Sequence, residues 1–146
     1  MKLLVPEIFE RASALSTQKE RRAFLRENDC PELRDIIRIN YDPSIESLLP
    51  KGKPPYTADD APEGKSPSHL GKKFRRFKYF FNGPTGLKTE PLKRESMFIE
   101  LLESIHYTEA ELLVAAKDKK MKYPGITEKL CNDAFPGLIA GTEETE

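Results

Sequence analysis

Thiols and imidazoles are scarce in this sequence. Cys30 and Cys131 lie far apart, no C-x-x-C pair occurs, and His69 and His106 stand alone. A zinc site needs about four clustered ligands at short spacings. None is expected, and the two thiols read as reduced, buried side chains. Long apolar runs are missing as well. "MKLLVPEIFERAS" meets charge again at Glu7, too soon for a signal peptide. No stretch approaches the roughly 20 apolar residues of a membrane span. A soluble, cytoplasmic chain with no membrane partner is expected. The loops that cradle nucleotides, G-x-x-x-x-G-K-S/T and G-x-G-x-x-G, do not occur, nor does the G-x-S-x-G elbow. Asp59-Asp60 reads as a solvated turn rather than an ion site. Glu100 and Glu103 read as ordinary helix surface, and His106 as a helix cap. No enzymatic activity, cofactor or metal is expected.

β-type alternation and internal repeats are also absent, so the expected fold class is all-α. The 146 residues suit one domain. We expect a compact bundle of six or seven short helices over residues 1–140, with a Pro-rich loop at 50–67 between helical halves 1–49 and 68–140. Residues 141–146, "GTEETE" with its leading glycine, form an acidic tail. The start signals are specific. Pro6 opens a first helix with Ile8, Ala12 and Leu15 on one face. Thr17 with Glu20 is a capping box for a helix ending near Asn28. Pro31 opens a third, carrying Leu33, Ile36, Ile37 and Tyr41. Asp42 and Pro43 are expected to start a short helix stopped by Pro50. Ser66 or Ser68 is expected to cap a helix that runs to about Phe81. "NGPTGLKTEP" reads as a turn, followed by a helix over about 91–106 with a stripe of Phe98, Leu101, Leu102 and Ile105, bordered by Met97. "TEAE" at 108–111 reads as a second capping box, and Thr127 as the start of a last helix before Pro136.

Acidic residues are missing from one region. Residues 65–94 carry 9 basic groups and 1 acidic one, whereas the whole chain has formal net charge zero. Within that region lies "GKKFRRFKYFF", residues 71–81. At about 100° per residue, Leu70, Phe74, Phe77 and Phe81 share one stripe and belong to the core. Lys72, Lys73, Arg75, Arg76, Lys78 and Tyr79 are left on the opposite face, with Phe80 at its edge. Such a face suits phosphate contact by the cations and stacking by Tyr79. It equally suits a solvated face paired with the acids of residues 95–111. A secondary basic cluster, Lys117, Lys119, Lys120 and Lys122, sits at a helix C-terminus, where the dipole alone accounts for it. The Pro-rich loop reads as a strap packed along the surface in preference to a binding loop.

Three segments, "YDPSIESLLPKGKPPYTADDAPEG", "RESMFIELLESIHYTEAELLVAAKDKK" and "YPGITEKLCNDAFPGLI", are distinctive in order and content. Together they resemble a family of small uncharacterised proteins of T4-like tailed phages, over about Phe9 to Ile139. The resemblance implies a phage origin and a bacterial host cytoplasm, and it carries over no catalytic residue. The expected function is a non-enzymatic phage accessory protein that binds nucleic acid through the basic helix at 70–81, in replication or transcription. An alternative is a protein–protein adaptor that docks on a host or phage complex, using the Pro-rich loop or the basic helix against an acidic protein surface. A third is a minor virion component.

Overall fold

The computed structural model describes residues 3–62 and 65–139. The expected acidic tail therefore lies outside the described residues. The architecture is all-α. In chain order the helices are α1 (Val5–Ser13), α2 (Gln18–Glu27), α3 (Pro31–Tyr41), α4 (Leu70–Lys73) continuing as a 3-10 helix (Phe74–Tyr79), α5 (Pro84–Lys88), α6 (Pro91–Ser104), α7 (Tyr107–Lys117) and α8 (Glu128–Ala134). Among the described residues, extended pairing is confined to isolated bridges.

Local signals explain most of these boundaries. The Glu7 carboxylate accepts the Leu4 N–H at 2.9 Å and fixes the start of α1. Thr17 Oγ1 accepts the Glu20 N–H at 3.1 Å and Glu20 accepts back from the Thr17 N–H at 3.2 Å, the expected box. Thr127 Oγ1 accepts the Leu130 N–H at 3.1 Å and starts α8 as expected. The apolar faces then meet. α3 packs on α7, α1 on α2 and α7, and α2 on α8. Arg26 of α2 reaches across to donate to the carbonyls of Ala134 (2.9 Å) and Asp133 (2.6 Å), closing the C-terminal end of α8. Phe9, Leu25, Leu33, Ile36, Ile37, Leu101, Leu102 and Leu113 are sealed from solvent in one core drawn from both sides of the loop. Both cysteines are buried within it as thiols.

Several expected boundaries differ. No helix follows Asp42. Its carboxylate accepts the Ser44 N–H at 2.9 Å and holds a turn. The chain then runs antiparallel to residues 80–82: Leu48 N–H donates to Phe80 O (2.8 Å) and Asn82 N–H to Glu46 O (3.0 Å). Those distant partners satisfy the backbone that a short helix would have used. Neither Ser66 nor Ser68 caps the basic helix. Ser66 Oγ donates to Asp59, and the Ser68 N–H donates to Ser104 O at 2.7 Å. "TEAE" is not the cap of α7 either. The helix begins one residue before Thr108, with His106 as its cap and Glu109 three positions on. α6 stops at Ser104, two residues early, and Ile105 is buried just beyond it.

The stretch expected as a turn holds α5. A Cβ added at Gly86 would come within 1.9 Å of the Phe81 carbonyl oxygen, so only glycine lets α5 lie against the basic segment. The Pro-rich loop is strapped down along α6 and α7. Its Gly52 N–H donates to Asp118 Oδ2 (2.8 Å) and its Thr57 N–H to Glu103 Oε2 (2.7 Å), while Lys117 Nζ donates to Pro50 O (3.0 Å).

Candidate nucleic-acid interface

The basic stretch does not keep α-helical pitch. After one α turn it tightens into six residues of 3-10 helix, Phe74–Tyr79. A 3-10 helix has three residues per turn, so side chains at i and i+3 eclipse each other. The exposure pattern follows that period. Lys72, Arg75 and Lys78 are exposed; Lys73, Arg76 and Tyr79 are half-buried; Phe74, Phe77 and Phe80 turn progressively inward. With about 2 Å of rise per residue, the exposed row places a cation roughly every 6 Å.

The tighter pitch reassigns two aromatics. Phe80, expected at the edge of the basic face, is completely buried and meets Phe98 edge-on with ring centroids 5.1 Å apart. Phe74, expected in the core, is only partly buried, with the Arg75 guanidinium 5.7 Å from its ring centre. Leu70, Phe77 and Phe81 are buried as expected. Tyr79 is packed against the core, and Lys78 Nζ lies 5.6 Å from its ring centre. That ring is thus partly occupied before any base arrives.

The acidic helices reach this surface at one point. Arg76, its side chain 44% exposed, pairs at 3.5 Å with Glu100 of α6, which is 76% exposed. Such a pair contributes little energy. Among the described residues, no carboxylate forms an ion pair with Lys72, Lys73, Arg75 or Lys78. Among the described residues, the outer row therefore has no acid as a partner.

Runs of 3-10 helix beyond three or four residues are uncommon because their hydrogen bonds are poorer. The basic segment that contains this one, α4 with its 3-10 continuation, is held at both ends by side chains that periodicity alone did not single out. At its start, Glu109 Oε2 of α7 accepts the Leu70 N–H at 3.1 Å, and the same carboxyl accepts the His106 N–H. At its end, the buried Arg94 of α6 donates from Nε to Tyr79 O (3.2 Å). From Nη2 it donates to Gly86 O and Thr89 O, both at 2.8 Å. A sequence signal existed for each. Arg94 lies four residues before Phe98, in register with the α6 stripe. Glu109 lies in register with Leu112, Leu113 and Ala116. A charged residue within an apolar stripe marks a buried anchor.

Glu109 also titrates unusually. It is 1% exposed and, among the described residues, its Oε1 has no hydrogen-bond partner. Burial pushes its carboxyl from an ordinary 4.5 up to about 7; the two amides oppose that rise, and Glu32 and Glu7 add to it. The folded state thus holds this proton more tightly than the unfolded chain does. The stability from that preference is complete below the ordinary value and is lost as pH rises through about 7. Its loss between pH values of about 5 and 8 should cost on the order of 2–3 kcal/mol, with Glu109→Gln showing a flatter profile. Urea midpoints at the two pH values check this; identical profiles for both proteins would contradict it.

The secondary cluster does not form one surface. Lys117 is buried and pairs with Asp118 at 2.9 Å. Lys119 turns back at a positive φ of 59° to donate to Ile39 O and Asp42 O, both at 2.8 Å, capping the end of α3. Lys120 and Lys122 are exposed. Among the described residues, no helix is long and apolar enough to cross a membrane.

The model of a family of unknown function, DUF6433, matches residues 8–123. The match contains the whole basic segment and both of its anchors. No curated protein matches the chain.

Proposed function

We propose that this chain, which belongs to the DUF6433 family, is a non-enzymatic nucleic-acid-binding protein that grips the phosphate backbone with Lys72, Arg75 and Lys78. One observation carries the reading: an exposed row of three cations without an acidic partner among the described residues. Phosphate contacts need cations at the surface and carry no sequence information. The sequence resemblance to small proteins of T4-like phages supports a phage-encoded accessory role in the bacterial cytoplasm, in replication or transcription.

Binding of single-stranded and duplex DNA and RNA, measured at low and then rising salt, tests this. Each phosphate contact contributes a slope of about −0.7 on single strands in log affinity against log salt. Three contacts give a slope near −2, or roughly a 15-fold loss between about 50 and about 200 mM salt. Absence of binding at low salt, or a slope near zero, would overturn the proposal.

A second reading, docking of the same row on an acidic protein, draws on Leu87 and Leu92, which are 66% and 74% exposed. Scattered exposed apolar residues are common on monomers, so it ranks behind. A pull-down from lysate before and after nuclease treatment separates the two. One stoichiometric protein retained after nuclease supports docking, and recovery of nucleic acid alone rejects it.

A further inference from the structure

Beside the outer cation row lies a groove of about 300 Å³. Its floor is apolar, formed by Ile39 of α3, Ile45, and Phe77 and Phe81 of the basic segment; Lys78, Arg38 and Gly83 stand on its rim. We infer that this groove receives one unstacked base of a single-stranded nucleic acid whose backbone lies along Lys72, Arg75 and Lys78. The inference rests on the phosphate-binding reading and adds the class of nucleic acid that the surface prefers.

Three features favour a base as the occupant. Lys78 belongs to both places, since it ends the exposed row and lines the groove. A strand tracking the row is therefore delivered to the groove mouth. The volume lies at the small end of ligand sites, enough for a flat ring, and its floor includes parts of two aromatic side chains, Phe77 and Phe81, 5% and 7% exposed, which offer a base apolar and aromatic contact. The rim is also cationic. Among the described residues, Lys78 has no carboxylate partner, and Asp35, the one acid that lines the groove, is already held by Arg38 at 2.6 Å. Phosphates flanking an inserted base thus meet no free acid there. Duplex bases are stacked and paired, so a duplex engages the row alone. An apolar side chain of an acidic protein would also fit the floor; a base is favoured because every nucleotide beside it carries a phosphate, whatever the sequence.

Gly83 offers a clean test. Its φ is ordinary at −79°, and a Cβ added there meets nothing within 4 Å. Gly83→Leu therefore fills the groove mouth without disturbing the core and without adding an aromatic surface, and Gly83→Ala is its control. Competition binding compares a short oligothymidylate with an abasic oligomer of the same length, which keeps every phosphate and removes every base. The wild type and Gly83→Ala should prefer the oligothymidylate by at least about fivefold, the lower range for one stacked base. Gly83→Leu should bind both equally, with the salt slope unchanged. Equal binding of the two oligomers by the wild type, or full preference retained in Gly83→Leu, would overturn the groove while leaving the phosphate row in place. No binding of either oligomer at low salt would overturn both.

Discussion

Arg94→Ala should remove about 3–5 kcal/mol of folding stability, a large share of the roughly 5–15 kcal/mol available to a domain of this size. Arg94 is 7% exposed, and its guanidinium holds the carbonyls of Tyr79, Gly86 and Thr89 together. More distantly, it reaches Leu48 O at 3.5 Å. These acceptors come from the end of the 3-10 helix, from α5 and the turn that leaves it, and from the segment just before the strap. Truncation leaves several of them without a donor at once, and each buried orphan costs about 1–3 kcal/mol before water enters the space. Lysine should restore only part of the loss, since a single ammonium cannot span carbonyls arranged for a planar fork. The exposed neighbour Lys93 provides the control, with Lys93→Ala expected within about 0.5 kcal/mol of wild type. Urea unfolding reads all three; a loss below about 1 kcal/mol for Arg94→Ala would show that the carbonyls find other partners.

Reversing the outer row, with Lys72→Glu, Arg75→Glu and Lys78→Glu together, should lower nucleic-acid affinity by about 100-fold or more at about 0.1 M salt. Three contacts with a slope near −2 account for about two decades of affinity between about 1 M and about 0.1 M salt, and the introduced acids add repulsion. Stability should change little, because the three side chains are exposed and make no ion pair among the described residues. Lys120→Glu with Lys122→Glu gives a matched reversal elsewhere on the surface. It should leave affinity within a few-fold if the basic segment is the contact. Loss of binding in both variants would indicate attraction to overall charge alone.

Much of the fold was legible because its start signals are local. Thr17 with Glu20, Pro31 and Thr127 each combine a backbone donor with the side chain that satisfies it, or a proline with a donor-free position. Such pairs can be read within four residues. What was not legible depends on distant partners. Residues 42–50 carry good helix-start chemistry, yet their backbone pairs with residues 80–82. The cap of the basic helix comes from Glu109, 39 positions away. The candidate surface itself was half legible. Its cations and its lack of acids are plain in "GKKFRRFKYFF". The row they form depends on pitch, and an α-helical angle clusters Lys72, Arg75, Arg76 and Tyr79 opposite the core, with Lys78 at the side. Phe74, Phe77 and Phe80, spaced by three, carried the 3-10 signal, but the same run also fits an α stripe through Phe81.

Pitch is thus where the account is most exposed, and Lys78→Glu against Arg76→Glu tests it most directly. Both substitutions change charge equally and lie two residues apart. Lys78 stands on the exposed row, whereas Arg76 is half-buried beside Glu100. Measured on a single-stranded oligonucleotide at low salt, Lys78→Glu should cost roughly tenfold in affinity and Arg76→Glu less than about threefold. A larger loss for Arg76→Glu would place the binding face where an α-helix puts it and would contradict the 3-10 row.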